Sequence, residues 1–196
     1  WYLDRSMHKV ALPRLKPGVN RLVLACNTVD TMQVEDCFIL GDFGVDHRTR
    51  AIVAEPETLR AGDWTLQGYL HYPGGMVYRA SVKVDKKPAR AKLFLKKFSA
   101  TVVAVHVNGK LAGFIPWRAA DGLDVAKFLK AGSNRVEIEC LGSPRNMLGP
   151  LHRVEGKIAW TGCGSFTTEG DSYTPEYTVW PWGLMDQVRI ELFRRR

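Results

Sequence analysis

The densest candidate chemistry lies in the segment 162–183. There Phe166, Tyr173, Tyr177, Trp180 and Trp182 are interspersed with Glu169, Asp171 and Glu176. Flat aromatic faces stack on the C–H faces of pyranose rings, and a few polar groups on edge loops hold the hydroxyls. A segment of about twenty residues without secondary structure of its own is long for a compact domain and is often functional. The same aromatics could equally fold back as a hydrophobic lid, as Trp-Pro-Trp sequences do, or pack on a neighbouring domain.

Three shorter stretches add candidates. Trp64, Tyr69, His71 and Tyr72 precede Pro73-Gly74-Gly75. Trp64 reads as core, whereas Tyr69 and Tyr72 suit either a surface platform or an interdomain contact. Trp117-Arg118 follows Pro116, and such a pair either stacks on and hydrogen-bonds a sugar or braces its own loop through a cation–π contact. Arg145, Asn146 and His152 bring donors suited to hydroxyls or a uronate carboxylate into one loop, where they could also form a bracing network.

Catalytic and metal chemistry is not signalled. Glycoside hydrolysis needs two facing carboxylates, and Glu35, Asp36, Asp42, Asp46, Glu55, Glu57 and Asp63 show no acid/base pattern. Gly164-Ser165 lacks the flanks of a nucleophile elbow. His8, His47, His71, His106 and His152 match no zinc signature. No cofactor is expected, and nothing resembling an EF-hand loop specifies calcium. Cys26, Cys37, Cys140 and Cys163 form no ligand cluster. At least Cys26 and Cys140 read as small buried apolar residues, and the redox state and compartment stay open.

The elements that would position these residues announce themselves through a repeat. Leu15-Lys16-Pro17-Gly18-Val19-Asn20-Arg21-Leu22-Val23-Leu24-Ala25-Cys26 is echoed 134 − 20 = 114 residues later by Leu129-Lys130-Ala131-Gly132-Ser133-Asn134-Arg135-Val136-Glu137-Ile138-Glu139-Cys140. Each copy reads as a glycine turn that releases a strand, with Leu22, Leu24 and Cys26, or Val136, Ile138 and Cys140, facing a core. So long an offset implies two related domains rather than a solenoid. Only fourteen residues precede the first copy, so 1–50 is expected to be the C-terminal remnant of a first sandwich. The stretch Arg48-Thr49-Arg50 marks the boundary, and 51–196 is the second sandwich.

Strands are expected at 9–12, 21–26, 37–45, 51–54, 76–84, 91–97, 101–107, 111–115, 154–160 and 187–193, with a helical turn at 125–129. Asn108-Gly109, set between alternating apolar residues, is the favoured two-residue hairpin turn. Many short strands without a long helix argue for an all-β sandwich of jelly-roll type. The net charge of +8 gathers on Lys83, Lys86, Lys87, Arg90, Lys92, Lys96 and Lys97, flanking one expected hairpin, and on Arg194, Arg195 and Arg196. No nucleic-acid motif accompanies it, so a solvated face is expected rather than a nucleic-acid partner. No run approaches a membrane span of about 20 apolar residues.

The order Gly62-Asp63-Trp64, Gly68-Tyr69, Val107-Asn108-Gly109-Lys110, Pro116-Trp117, Leu123-Asp124-Val125 and the phrase 129–138 resembles the galactose-binding-like β-sandwich. This module accompanies family 2 and α-L-rhamnosidase-like glycoside hydrolases. The segments 143–152 and 183–188 look like further phrases of such C-terminal modules. The resemblance covers 51–196, with 7–45 as a partial second copy. It implies a non-catalytic carbohydrate-binding or accessory region, partnered by a glycan and by a catalytic domain of the same polypeptide, whose separate barrel carries the enzyme's carboxylates. The sugar contacts expected from the loop aromatics and donors are Trp180, Trp182, Tyr173, Tyr177, Tyr72, Trp117, Arg145, Asn146 and His152. The alternative is a purely structural or protein-interaction sandwich, since this fold also serves as a spacer.

Overall fold

The computed structural model describes residues 5, 7–30, 37–116, 122–154 and 161–193. The chain forms two compact units, Trp1–Leu40 and Gly41–Arg196.

Unit 2 is an all-β sandwich. Its strands are β1 (Gly44–Val45), β2 (Ile52–Val53), β3 (Gly75–Val84), β4 (Arg90–Leu95), β5 (Phe98–Ser99), β6 (Val102–Val107), β7 (Lys110–Ile115), β8 (Leu123–Asp124), β9 (Gly132–Leu141), β10 (Gly183–Leu184) and β11 (Val188–Phe193). One antiparallel sheet runs β3-β9-β6-β7, and the facing sheet runs β11-β4-β8. The β5–β10 pair prolongs the second sheet, because β5 follows β4 and β10 precedes β11. The β1–β2 hairpin stands beside them as a separate two-stranded ladder.

Period-two alternation selects the core. Val103, Val105 and Val107 of β6, Val136, Ile138 and Cys140 of β9, and Ala91, Leu93 and Leu95 of β4 are all buried in one cluster. Alternate side chains of a strand share a face, so these three runs supply the interior from both sheets. Each buried Val or Leu contributes about 1.5–3 kcal/mol relative to exposure. Trp64 is fully buried in the same cluster, but it opens a 3₁₀ turn, Trp64–Gln67, rather than a strand. Asp63 caps that turn, accepting from the Thr65 N–H at 2.9 Å and the Thr65 hydroxyl at 2.7 Å.

Asn108 and Gly109 have φ of +52° and +77°, the doubly left-handed geometry of a two-residue hairpin matched to strand twist. The helical turn expected near 125–129 is a 3₁₀ turn over Ala126–Phe128. One expectation needs correcting. The lysine-rich stretch does not flank a hairpin, because β3 pairs with β9 along its whole length while β4 pairs with β11 and β8. Residues 85–89 therefore carry the chain from one sheet to the other. Pro88 in this connection lacks the N–H that a tight ladder-closing turn would use.

In unit 1 the described residues form no strand. The strands expected at 9–12 and 21–26 are absent, and that at 37–45 shortens to Gly44–Val45 within unit 2. A strand exists through a ladder with a neighbouring strand, and among the described residues no ladder includes these segments. Val19, Leu22, Val23 and Leu24 are exposed as a result. Residues 155–160 of the strand expected at 154–160, and Arg194, Arg195 and Arg196, lie outside the described residues.

The matching cysteines of the two repeats thus part company. Cys140 is buried, and burial pushes its thiol up to about 12, whereas Cys26 and Cys37 are exposed free thiols. Alkylation of the native chain at mildly alkaline pH, mapped by peptide mass spectrometry, should label Cys26 and Cys37 and spare Cys140 until denaturant is added. Native labelling of Cys140 as fast as Cys26 would contradict this packing.

Candidate functional site

The loop 162–183 is not free. It is tied along the segment 151–154 by backbone bonds from Val154 to Ser172 at 3.0 Å, Thr174 to His152 at 3.2 Å and Thr178 to Leu151 at 2.6 Å. Arg153 and Tyr173 form an isolated antiparallel bridge, and the Thr178 hydroxyl donates to the Arg153 carbonyl. These contacts make the loop a scaffolded arm rather than a tether.

Its tip is set by one side chain. Arg145–Leu148 forms a short helical turn, α1, which places Asn146 at 1% exposure. The Asn146 carboxamide then binds the Trp180 backbone on both sides. Its Oδ1 accepts the Trp180 N–H at 2.7 Å, and its Nδ2 donates to the Trp180 carbonyl at 2.7 Å. A side-chain amide thereby replaces a strand neighbour. Trp180 itself is 51% exposed, while Trp182, two residues on, is 7% exposed and belongs to the core. Trp182 is held from another direction, its N–H donating to Asp63 Oδ1 at 3.2 Å and its carbonyl accepting from the Trp64 N–H at 2.8 Å.

A second cluster centres on Tyr177. The His152 ring lies 4.9 Å from it and the His71 ring 6.3 Å, centroid to centroid, and Tyr173 stands 6.0 Å from His152. The Arg50 guanidinium lies 4.5 Å over the Tyr177 ring, a cation–π contact. His71 Nδ1 is 2.6 Å from the Asn146 carbonyl, and His152 Nδ1 is 3.2 Å from the Thr174 carbonyl. A carbonyl only accepts, so both rings donate through Nδ1–H. Arg50 is placed by the turn joining β1 to β2. There Asp46 Oδ1 accepts the N–H groups of Arg48 and Thr49 and the Thr49 hydroxyl, and these bonds hold its carboxyl below the usual range. Arg50 adopts φ +61° at the close of this turn. The Arg48-Thr49-Arg50 stretch read as a boundary thus belongs to a hairpin that touches the aromatic loop. The sequence carries no signal for this, because cation–π partners more than a hundred residues apart leave no local pattern.

The remaining expected site residues disperse. Arg145 folds back over its own turn, donating from Nη2 to the Pro150 carbonyl at 3.0 Å, and burial lowers its pKa. Tyr72 is exposed but packs edge-on to Tyr69 at 5.7 Å, and its hydroxyl donates to the Gly75 carbonyl at 3.4 Å. Trp117 and Arg118 lie outside the described residues. Asn146 is buried and serves as the clamp. The surface brought together is therefore Tyr173, Tyr177, His152, His71 and Arg50, with Trp180 presented alongside on the Asn146 clamp. The Arg50 Nε, Arg145 Nη1 and Arg153 Nε donors are buried without an acceptor among the described residues.

Two carboxylates near these elements are engaged in structure. Glu55 accepts the Tyr69 hydroxyl at 3.2 Å, and Asp63 caps the Trp64 turn. Among the described residues, no group of three or more His, Cys, Asp or Glu gathers as a metal site, and no helix is long and apolar enough to cross a membrane.

No family model matches the chain, and no curated relative does. A solved structure is similar. It is the rhamnosidase from Novosphingobium sp. PP1Y, with 25% identity, a TM-score of 0.47, and coverage of 77% of this chain. The chain spans 14% of that structure's length.

The clamp generates a local prediction. Asn146→Ala removes two hydrogen bonds to one residue, so amide exchange at Trp180 should accelerate by about tenfold or more while Ile138 in β9 stays protected. Equal acceleration at both sites would mean that Asn146 supports the whole fold rather than the arm.

Proposed function

We propose that this chain is a non-catalytic carbohydrate-binding or accessory region of a multidomain glycoside hydrolase, with unit 2 contacting glycan through Trp180 and the Tyr177 cluster. The observation that carries this reading is the presentation of Trp180, an indole half exposed on a backbone pinned from both sides by Asn146. An aromatic plane fixed before the ligand arrives loses little entropy on binding, and this favours stacking on a pyranose face. Beside it, Tyr177, His152 and Arg50 offer an aromatic face and donors for hydroxyls or a carboxylate. Pairing with a catalytic domain of the same polypeptide rests on the sequence phrases around 62–64, 107–110 and 129–138.

A second reading, a structural or protein-interaction sandwich, draws on a specific observation. Asn146, His71 and His152 each spend a polar atom on backbone carbonyls or amides inside the loop network, as bracing residues do.

One experiment separates the two. Titration of the chain with a panel of neutral and uronate-containing oligosaccharides, read by calorimetry, should show saturable binding that Trp180→Ala weakens by about tenfold or more. Circular dichroism should show Trp180→Ala folded, whereas Trp182→Ala, which empties a core position, should lose about 3–5 kcal/mol of stability. Absence of binding in the folded chain, or full retention by Trp180→Ala, would favour the structural reading.

A further inference from the structure

The two copies of the repeated phrase fold into the same hydrogen-bonded clasp. In the second copy the Lys130 N–H donates to Asn134 Oδ1 at 2.9 Å, and Asn134 Nδ2 donates to the carbonyls of Lys130 at 2.9 Å and Gly132 at 3.0 Å. In the first copy the Lys16 N–H donates to Asn20 Oδ1 at 3.0 Å, and Asn20 Nδ2 donates to the carbonyls of Lys16 at 2.8 Å and Gly18 at 3.1 Å. The glycines match as well, with φ of +87° at Gly132 and +92° at Gly18. Both positions need left-handed backbone, which glycine adopts without a steric penalty.

What differs is the partner. Asn134 is fully buried because the Asn108-Gly109 turn of the β6–β7 hairpin sits on the clasp. Asn108 Nδ2 donates to Asn134 Oδ1 at 2.8 Å, and Asn108 Oδ1 accepts the Arg135 N–H at 3.1 Å. The Asn108 N–H donates to the Arg135 carbonyl at 2.8 Å, and from there β9 runs on antiparallel to β6. Around Asn20 no such hairpin is present among the described residues. Asn20 and Arg21 are exposed, Asn20 Oδ1 has accepted one hydrogen bond of the two its lone pairs allow, and the strand-like run behind it shows Leu22, Val23 and Leu24 to solvent.

We infer that residues 15–26 are a docking segment, preformed at its Lys16–Asn20 clasp, for a β-hairpin with asparagine in its turn, seated on Asn20 and Arg21 as the Asn108 hairpin sits on Asn134 and Arg135. The occupant is a hairpin of the β6–β7 kind: an Asn-Gly turn, an amide to share with Asn20 Oδ1 and the Arg21 N–H, and alternating apolar residues to stand beside Leu22 and Leu24 as Val107 and Val105 stand beside Val136 and Ile138. The internal template specifies it, because the half of the interface that unit 1 contains is the same half that β9 contributes in unit 2. Strand addition of this type draws affinity from main-chain bonds and specificity from alternate side chains. It would also cover the unpaired backbone of 21–26, which otherwise invites promiscuous pairing.

The test uses the full chain and a synthetic peptide of residues 101–116, closed by a disulfide between cysteines added at its ends. Amide exchange should show residues 21–26 of the chain becoming protected as the peptide is added, with saturation. Asn108→Ala in the peptide should weaken binding by about tenfold or more, as should Asn20→Ala in the chain, each removing a shared amide contact. The peptide variant leaves the folding of the chain untouched, so its effect reports the contact alone. Absence of protection up to millimolar peptide would overturn the inference, as would binding indifferent to both substitutions. Protection of 21–26 in a concentration-dependent dimer without peptide would overturn it in favour of a second copy as occupant.

Discussion

Carboxamide side chains standing in for backbone are the constraint on which this sandwich depends. Asn134 has two acceptor lone pairs and two donors, and all four are used inside the protein: Lys130 N–H and Asn108 Nδ2 donate to it, and it donates to the Lys130 and Gly132 carbonyls. A buried amide so satisfied costs little, while one stripped of its partners costs about 1–3 kcal/mol for each group left dry. Asn108 completes the arrangement by donating to the Phe128 carbonyl at 2.9 Å. One pair of side chains thereby ties the β6–β7 turn, the Ala126–Phe128 turn and the start of β9 together. The register of β9 against β6 follows, and with it the inward facing of Val136, Ile138 and Cys140. A one-residue slip would turn that whole row to solvent.

The same device reappears where the surface becomes specific. Asn146 treats Trp180 as Asn134 treats Lys130, accepting an N–H and donating to a carbonyl of the same residue. The outcome differs because the strand entered by Asn134 proceeds into the core, whereas Trp180 ends an arm and keeps its ring outside. Polar groups in this region are largely spent on placement, and what they place is aromatic surface with Arg50 laid over Tyr177. That division of labour is what a preorganised binding face requires, since rigid support lowers the cost of engagement.

Local signals predicted local structure well. Alternation identified β3, β4, β6, β7 and β11 within a residue or two, and Asn108-Gly109 identified its turn, because both patterns arise from dihedral and pleat geometry that adjacent residues determine. The repeated phrase announced its glycine turns for the same reason, with positive φ at Gly18 and Gly132, whereas the asparagine clasp beside them was not read from it. What escaped was decided by partners distant in the chain. Trp180 and Trp182, two apart and alike in kind, differ in exposure because α1 claims one backbone and the Asp63–Trp64 segment claims the other. The lysine-rich connection between β3 and β4 looks like a hairpin from composition, but its sheet assignment rests on whether β9 or β4 is the better neighbour of β3. Unit 1 makes the converse point: 21–26 has the alternation of a strand, yet alternation without a ladder partner leaves it unpaired.

The amide-clasp account is tested most directly by a double-mutant cycle on Asn108 and Asn134, measured by denaturant unfolding of the wild type, Asn108→Ala, Asn134→Ala and the double variant. Each single substitution should destabilise by about 1–3 kcal/mol, and the double variant should lose less than their sum by about 1 kcal/mol or more, because the second removal acts on a bond already gone. Losses that add to within about 0.3 kcal/mol would contradict the account, showing that the two asparagines act independently and that the sheet is held in register by its apolar faces alone.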